Sequence, residues 1–125
     1  MPRNIEAKLV EMGITLPVAA SPKVAKILNW KIAGDLLFVS GQVPRIENEI
    51  SFIGKVGREY TLEEGQLAAR TSALMVLACI KEALDNMDRV KEVVRIKGYI
   101  NVDPDFTDVS AVLNGASELF IDLYG

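Results

Sequence analysis

"TLEEGQLAARTSALMVLACIKEALDNMDRVKEVVRIKGYINV", Thr61 to Val102, carries the two periodicities that decide the fold. Thr61 followed three residues later by Glu64 is a capping box, in which each side chain satisfies a free backbone N–H of the first turn. The spacing predicts a helix over about 62–86. Leu67, Thr71, Leu74 and Ala78 form one stripe and Leu77, Ile80, Leu84 and Met87 a neighbouring one, together wide enough to cover a sheet. After Asp88 the period changes from 3.6 to 2. Val94, Ile96, Ile100 and Val102, with Gly98 between them, point toward the helices; Val93, Arg95, Lys97, Tyr99 and Asn101 point the other way. That second face is polar yet carries a tyrosine, which fits a surface covered by another subunit, a cleft wall, or plain solvent exposure.

Working upstream, Ile5, Leu9, Val10 and Met12 recur at helical spacing before Gly13, so 4–12 reads as a short amphipathic helix. Residues 18–33 read as loop and then a strand near 25–28. Gly34-Asp35 makes a turn, and 36–40 is a strand apolar on both faces. The polar "PRIENEIS" reads as a surface loop, and 52–56 as a return strand pairing antiparallel with 36–40. Downstream, Asp103 or Asp105 caps a final helix over about 106–123. Strand, strand, long helix, strand, helix is the α+β layout of two helices on one face of a mixed sheet. The chain stops just after a helix, with that sheet one strand short of a balanced second half.

The 125 residues are 50% hydrophobic and fit a single domain with one core. Fourteen Lys+Arg against 17 Asp+Glu give a formal charge of -3 with no basic stripe, which disfavours nucleic acid as a partner. The N-terminus has no apolar core of signal-peptide length and no apolar run is long enough to span a bilayer, so no membrane and a cytoplasmic location are expected. Histidine is absent, which excludes Ser-His-Asp and Cys-His catalysis and His-ligated zinc. With one cysteine there is no disulfide, and no metal is expected. Cys79, inside "LMVLACIKEAL", reads as a small core residue and not as a nucleophile.

The remaining tools are carboxylates, cations, hydroxyls, amides and backbone N–H groups. Ser40-Gly41-Gln42 offers a hydroxyl, an amide and sterically open N–H groups, suited to a carboxylate or carbonyl oxygen, although Ser-Gly after a strand is more often just a turn. Asn114-Gly115 breaks helix propensity inside the last helix. Such a breach marks either a site or close packing; tight packing of the helix against the sheet is the more ordinary reading for Gly115 and Ala116, whereas the Asn114 amide is the better candidate to face a ligand. Arg58 and Lys55 flank a second glycine turn and are ordinarily solvated; Glu63 and Glu64 serve the helix start; Trp30 reads as core or subunit contact.

Taken together, "GDLLFVSGQVP", "GKVG", the 61–106 stretch and "NGASELF" resemble the Rid/YjgF family, the reactive-intermediate imine deaminases, also labelled L-PSP endoribonucleases. The resemblance runs from about Leu16 to Gly125 and is nearest the branch with an extra N-terminal helix. It implies a chorismate-mutase-like α+β fold: two main helices on one face of a mixed sheet, assembled as a homotrimer with three clefts between subunits. It also implies hydrolysis of an enamine or imine such as 2-aminoacrylate to a 2-keto acid and ammonia, without a cofactor. On it, Ser40, Gly41 and Gln42 match the cleft turn and Asn114 the cleft asparagine, so the ligand is a small 2-imino or 2-keto acid. No catalytic residue is assigned. The family's carboxylate-gripping arginine and water-orienting glutamate lie on a closing loop and strand that would follow Gly125, and Ile27 stands where a tyrosine is common. The alternatives are a non-catalytic binding or regulatory trimer that holds a small carboxylate or a protein partner, and an endoribonuclease or translation inhibitor.

Overall fold

A computed structural model of the chain describes residues 4–20, 26–47 and 49–125. Three helices form one layer. The first, α1 (Ile5–Glu11), starts where the Asn4 side chain accepts from the Ala7 N–H, and buries Ile5 and Leu9. The long helix α2 (Leu62–Leu84) opens on the expected capping box, with both reciprocal bonds between Thr61 and Glu64 made. A 3₁₀ turn at Met87–Arg89 follows. The last helix, α3 (Val109–Tyr124), starts at Asp108 with no side-chain cap bond. It therefore begins later than expected, and neither expected aspartate caps it. Asp103 instead accepts from the Asp105 N–H, holding a turn ahead of the helix.

The core lies among these helices. Ile5, Leu9, Leu77, Ile80, Met87, Leu119 and Leu123 form one buried cluster, with no buried polar residue among the described ones. The crossing of α2 and α3 is close at Gly115, where an added Cβ would stand 2.0 Å from the Gln66 carbonyl oxygen. Gln66 reinforces it by donating from Nε2 to the Ala111 carbonyl at 2.9 Å. Packing thus accounts for Gly115, but against α2 and not, as expected, against the sheet. Helix α1 is tied down by its ends: the Ile5 N–H donates to Asp88 Oδ1 at 2.8 Å, and Lys8 reaches the last carbonyls of α3.

The strands differ from expectation in their partners. β1 (Trp30–Ala33) and β2 (Leu36–Val39) form an antiparallel hairpin, Trp30 opposite Val39 and Ala33 opposite Leu36. Its two-residue loop places Gly34 at φ +59°, the conformation tight hairpins reserve for glycine. The strand expected near 25–28 is therefore displaced to Trp30–Ala33; residues 26–28 are not in a strand, and Ala25 lies outside the described residues. β2 pairs with β1 and not with 52–56, because a two-residue turn closes a hairpin more readily than a long loop does. Within the tract read as surface loop, β3 (Arg45–Ile46) and β4 (Glu49–Ile50) make a second small ribbon. Residues 52–56 contribute only Val56, which bridges singly to Tyr60 and Val102.

Leu37 and Val39 pack on the helices, but Leu36 and Phe38 are about half exposed, so β2 is not buried on both faces. The alternating segment 93–102 forms no ladder with the described residues beyond the Val56–Val102 bridge. Ile96, Ile100 and Val102 turn inward as expected, while Val94 is exposed and Val93 packs on the core in its place. Main-chain groups from 92 to 100 have no hydrogen-bond partner among the described residues. Among the described residues the sheet part consists of two antiparallel ribbons, and helices with small sheets make the expected α+β layout.

Candidate functional site

The Ser40-Gly41-Gln42 turn is fixed from behind by the segment just before β1. The Ser40 N–H donates to the Asn29 carbonyl at 2.9 Å, and the Ser40 hydroxyl donates to the Leu28 carbonyl. Asn29 is anchored in turn, donating from Nδ2 to the Ala20 carbonyl at 2.6 Å. Gln42 folds back to donate from Nε2 to the Ser40 carbonyl at 3.2 Å. What the turn leaves available is therefore specific. The N–H groups of Gly41 and Gln42 have no partner among the described residues, and nothing lies within 4 Å of where a Gly41 Cβ would stand. Two successive open N–H groups can hold an oxyanion, while the Ser40 oxygen offers lone pairs.

Asn114 sits elsewhere. It is exposed on the outer face of α3, between Ser110 and Glu118 one turn away on each side, and its amide has no hydrogen bond among the described residues. No hydrogen bond joins it to the Ser40 turn within one chain.

A groove of about 180 Å³ lies between the N-terminal half of α2, the 52–60 loop and the 99–101 stretch. Its floor is small: Gly65, Ala68, Ala69 and Ser72. Phe52 and Tyr60 line it with ring centroids 5.8 Å apart, and Phe52 holds a left-handed backbone at φ +59°, costly for a bulky residue. Asn101 closes one end by donating to the Gly54 carbonyl at 3.2 Å. Sequence reasoning did not single out Phe52 or Tyr60. Their only advance signal was the aromatic pair bracketing the second glycine turn.

The other candidates have structural roles. Arg58 pairs with Asp103 at 3.0 Å, and the Asp105 N–H, then Arg58, hold the Asp103 carboxyl below the usual carboxylate range. Cys79 is fully buried, and burial, with Glu82 adding to it, pushes its thiol up to about 11, so it stays protonated and inert. Trp30 is half-buried and donates from Nε1 to Glu82 at 3.0 Å. Glu63 and Glu64 lie in the first turn of α2, as expected. Among the described residues no three metal-ligating side chains converge, and no helix is long and apolar enough to cross a membrane.

Comparison with known proteins matches residues 6–125 to the family model described as "YjgF/chorismate mutase-like, putative endoribonuclease". Protein TCP17 of Trypanosoma cruzi is 40% identical over 122 residues, covering 98% of this chain and 76% of that protein. A structure from Shewanella oneidensis MR-1, described as a "putative endoribonuclease", superposes with a TM-score of 0.94 at 31% identity, covering 98% of this chain and 81% of that one. Atu1372 of Agrobacterium tumefaciens, described as of unknown function, gives 0.88 at 37% identity, covering 97% and 74%. The match takes in nearly the whole chain and the superpositions extend over the whole fold, so the chain belongs to the YjgF/chorismate-mutase-like family.

Proposed function

We propose that the protein hydrolyses small 2-imino acids and their enamine tautomers, of the 2-aminoacrylate type, to 2-keto acids and ammonia. The observation that carries this reading is the open Ser40–Gln42 turn: two free N–H groups beside a hydroxyl oxygen, held rigidly by Leu28 and Asn29. An imine is already electrophilic, so a site that fixes its oxygen-bearing end and orients water needs neither histidine nor cofactor. Water adds to the imine carbon, a proton passes to nitrogen, the C–N bond breaks and ammonia leaves. The reading assembles the chain as a homotrimer in the cytoplasm, one subunit's turn forming a cleft with Asn114 of a neighbour. It places the carboxylate-gripping arginine and the water-orienting glutamate on a closing strand outside these 125 residues. The 92–100 edge, whose backbone groups have no partner among the described residues, supports placing such a strand there.

The test uses an imine generated in situ by an amino-acid oxidase, with semicarbazide trapping what remains. The protein is expected to speed keto-acid release and lower semicarbazone formation in proportion to its concentration. An unchanged decay rate removes deamination and leaves the small-carboxylate-binding alternative, which predicts ligand-dependent thermal stabilisation without turnover.

The names given to the matched family and to the Shewanella relative favour a second reading, ribonuclease activity, and stand against the expectation of no nucleic-acid partner. The composition offers no histidine pair and no basic stripe for it. Cleavage of RNA by a homogeneous preparation, lost in a Ser40 or Asn114 variant, would establish it.

A further inference from the structure

The hydrogen-bond directions at the turn set what Ser40 can recognise. A carbonyl only accepts, so in the Ser40–Leu28 contact the hydroxyl proton belongs to the bond with the Leu28 carbonyl. The neighbouring Ser40 N–H is likewise committed to the Asn29 carbonyl at 2.9 Å, so both of this residue's donors point back into the protein. The Ser40 oxygen keeps its lone pairs, and these are all its side chain can show a ligand. The free donors lie one and two residues on, at the N–H groups of Gly41 and Gln42.

We infer that the turn is divided: Gly41 and Gln42 donate to a ligand oxygen, while Ser40 accepts a hydrogen bond from a ligand N–H. This rests on the imine reading of the site and deepens it. A protonated imine has N–H donors that the product ketone lacks, so Ser40 separates substrate from product by hydrogen-bond polarity. A hydroxyl whose proton is held by a carbonyl favours the protonated, more electrophilic form of the imine, because its lone pair accepts from the iminium N–H but repels the lone pair of an unprotonated imine nitrogen. It also disfavours the ketone oxygen left after ammonia departs, which has no hydrogen to give.

A matched pair of ligands reads this directly. 2-Aminobutyrate and 2-oxobutyrate share a carboxylate and a chain length but present an N–H donor and a carbonyl acceptor, respectively, at the same carbon. Binding to the full chain is followed by NMR titration for the wild type, Ser40→Ala and Ser40→Thr. Ser40→Ala is expected to weaken 2-aminobutyrate about tenfold, the scale of a lost hydrogen bond to a charged group, and to leave 2-oxobutyrate within about twofold. Ser40→Thr, which keeps a hydroxyl able to donate to Leu28, restores 2-aminobutyrate binding. Equal weakening of both ligands in Ser40→Ala, or weakening of 2-oxobutyrate alone, overturns the inference while leaving the imine reading standing. If the wild type binds neither ligand, the reading of the turn as a site falls and the inference with it. Loss of turnover without either binding change also overturns it.

Discussion

The two layers of this molecule are finished to different degrees. In the helix layer most devices are closed: the α2 capping box is reciprocal, α1 is tied at both ends, and Leu77, Leu119, Leu123 and Ile5 are fully buried, with the uncapped start of α3 the exception. In the strand layer the ladders are short, Leu36, Phe38, Ile50 and Ile53 are largely exposed, and the 92–100 backbone has no partner among the described residues. A helix satisfies its backbone within itself, whereas a strand needs a neighbour. The helix layer thus accounts for the stability of the fold, and the strand layer is the part available for assembly and ligands.

The largest effect expected from this contrast is at Gly115. Alanine is the better helix former by about 1 kcal/mol, so on an exposed helix Gly115→Ala would stabilise. Here its Cβ would stand 2.0 Å from a backbone oxygen of α2, which cannot rotate away, so the helices must separate. The overlap outweighs the propensity gain, and a net loss of about 3 kcal/mol is expected in urea unfolding. A neutral or stabilising outcome would show that the crossing is looser than this and that the helix layer is not the rigid one.

A smaller effect tests the same layer through pH. The Cys79 thiol is held neutral by burial up to about 11, against about 9 for a free thiol. The folded pKa is the raised one, so the unfolded chain ionises first as pH climbs. Stability from this residue is full below pH 9 and declines between 9 and 11. Relative to Cys79→Ala, the wild type is expected to lose about 2 kcal/mol over that window, from a shift of about two pKa units. Parallel pH profiles for the two proteins would mean that Cys79 reaches solvent.

How much was legible beforehand follows the same division. Helix α1, the capping box and the close packing at Gly115 were legible because caps, stripes and small residues act within a few positions. The partner of β2 was not: "WKIA" alternates too weakly to be read as a strand, and only the Gly34 turn geometry makes it one. The 93–102 alternation was read correctly from Ile96 to Val102, but no sequence pattern states whether the neighbouring strand is in place. The helix start was missed because three aspartates compete at 103, 105 and 108, and the first is taken by a turn. At the site, Ser40–Gln42 was legible as an open turn. The polarity of Ser40 was not, since it depends on the Leu28 carbonyl twelve residues back.

The smallest effect on stability is expected in the strand layer, and it is the sharpest test of the contrast. Leu36 and Phe38 lie on the outer face of β2, 49% and 57% exposed, so replacing both by lysine removes little buried area. Lysine on a solvent-facing strand position changes stability by no more than about 0.5 kcal/mol. Its effect on association is opposite in scale, because a charge desolvated at a subunit contact is expensive unless paired. Leu36→Lys/Phe38→Lys should therefore unfold in urea like the wild type at low protein concentration, yet, on the homotrimer proposed above, run as a smaller species on sedimentation and lose any ligand response that needs two subunits. If the double variant instead unfolds several kcal/mol earlier as a monomer, the outer face of β2 belongs to the chain's own core, and the division between a self-sufficient helix layer and an open strand layer fails. Unchanged sedimentation with unchanged stability would show that the outer face of β2 carries no subunit contact, leaving the 92–100 edge and Tyr99 as the next surface to charge.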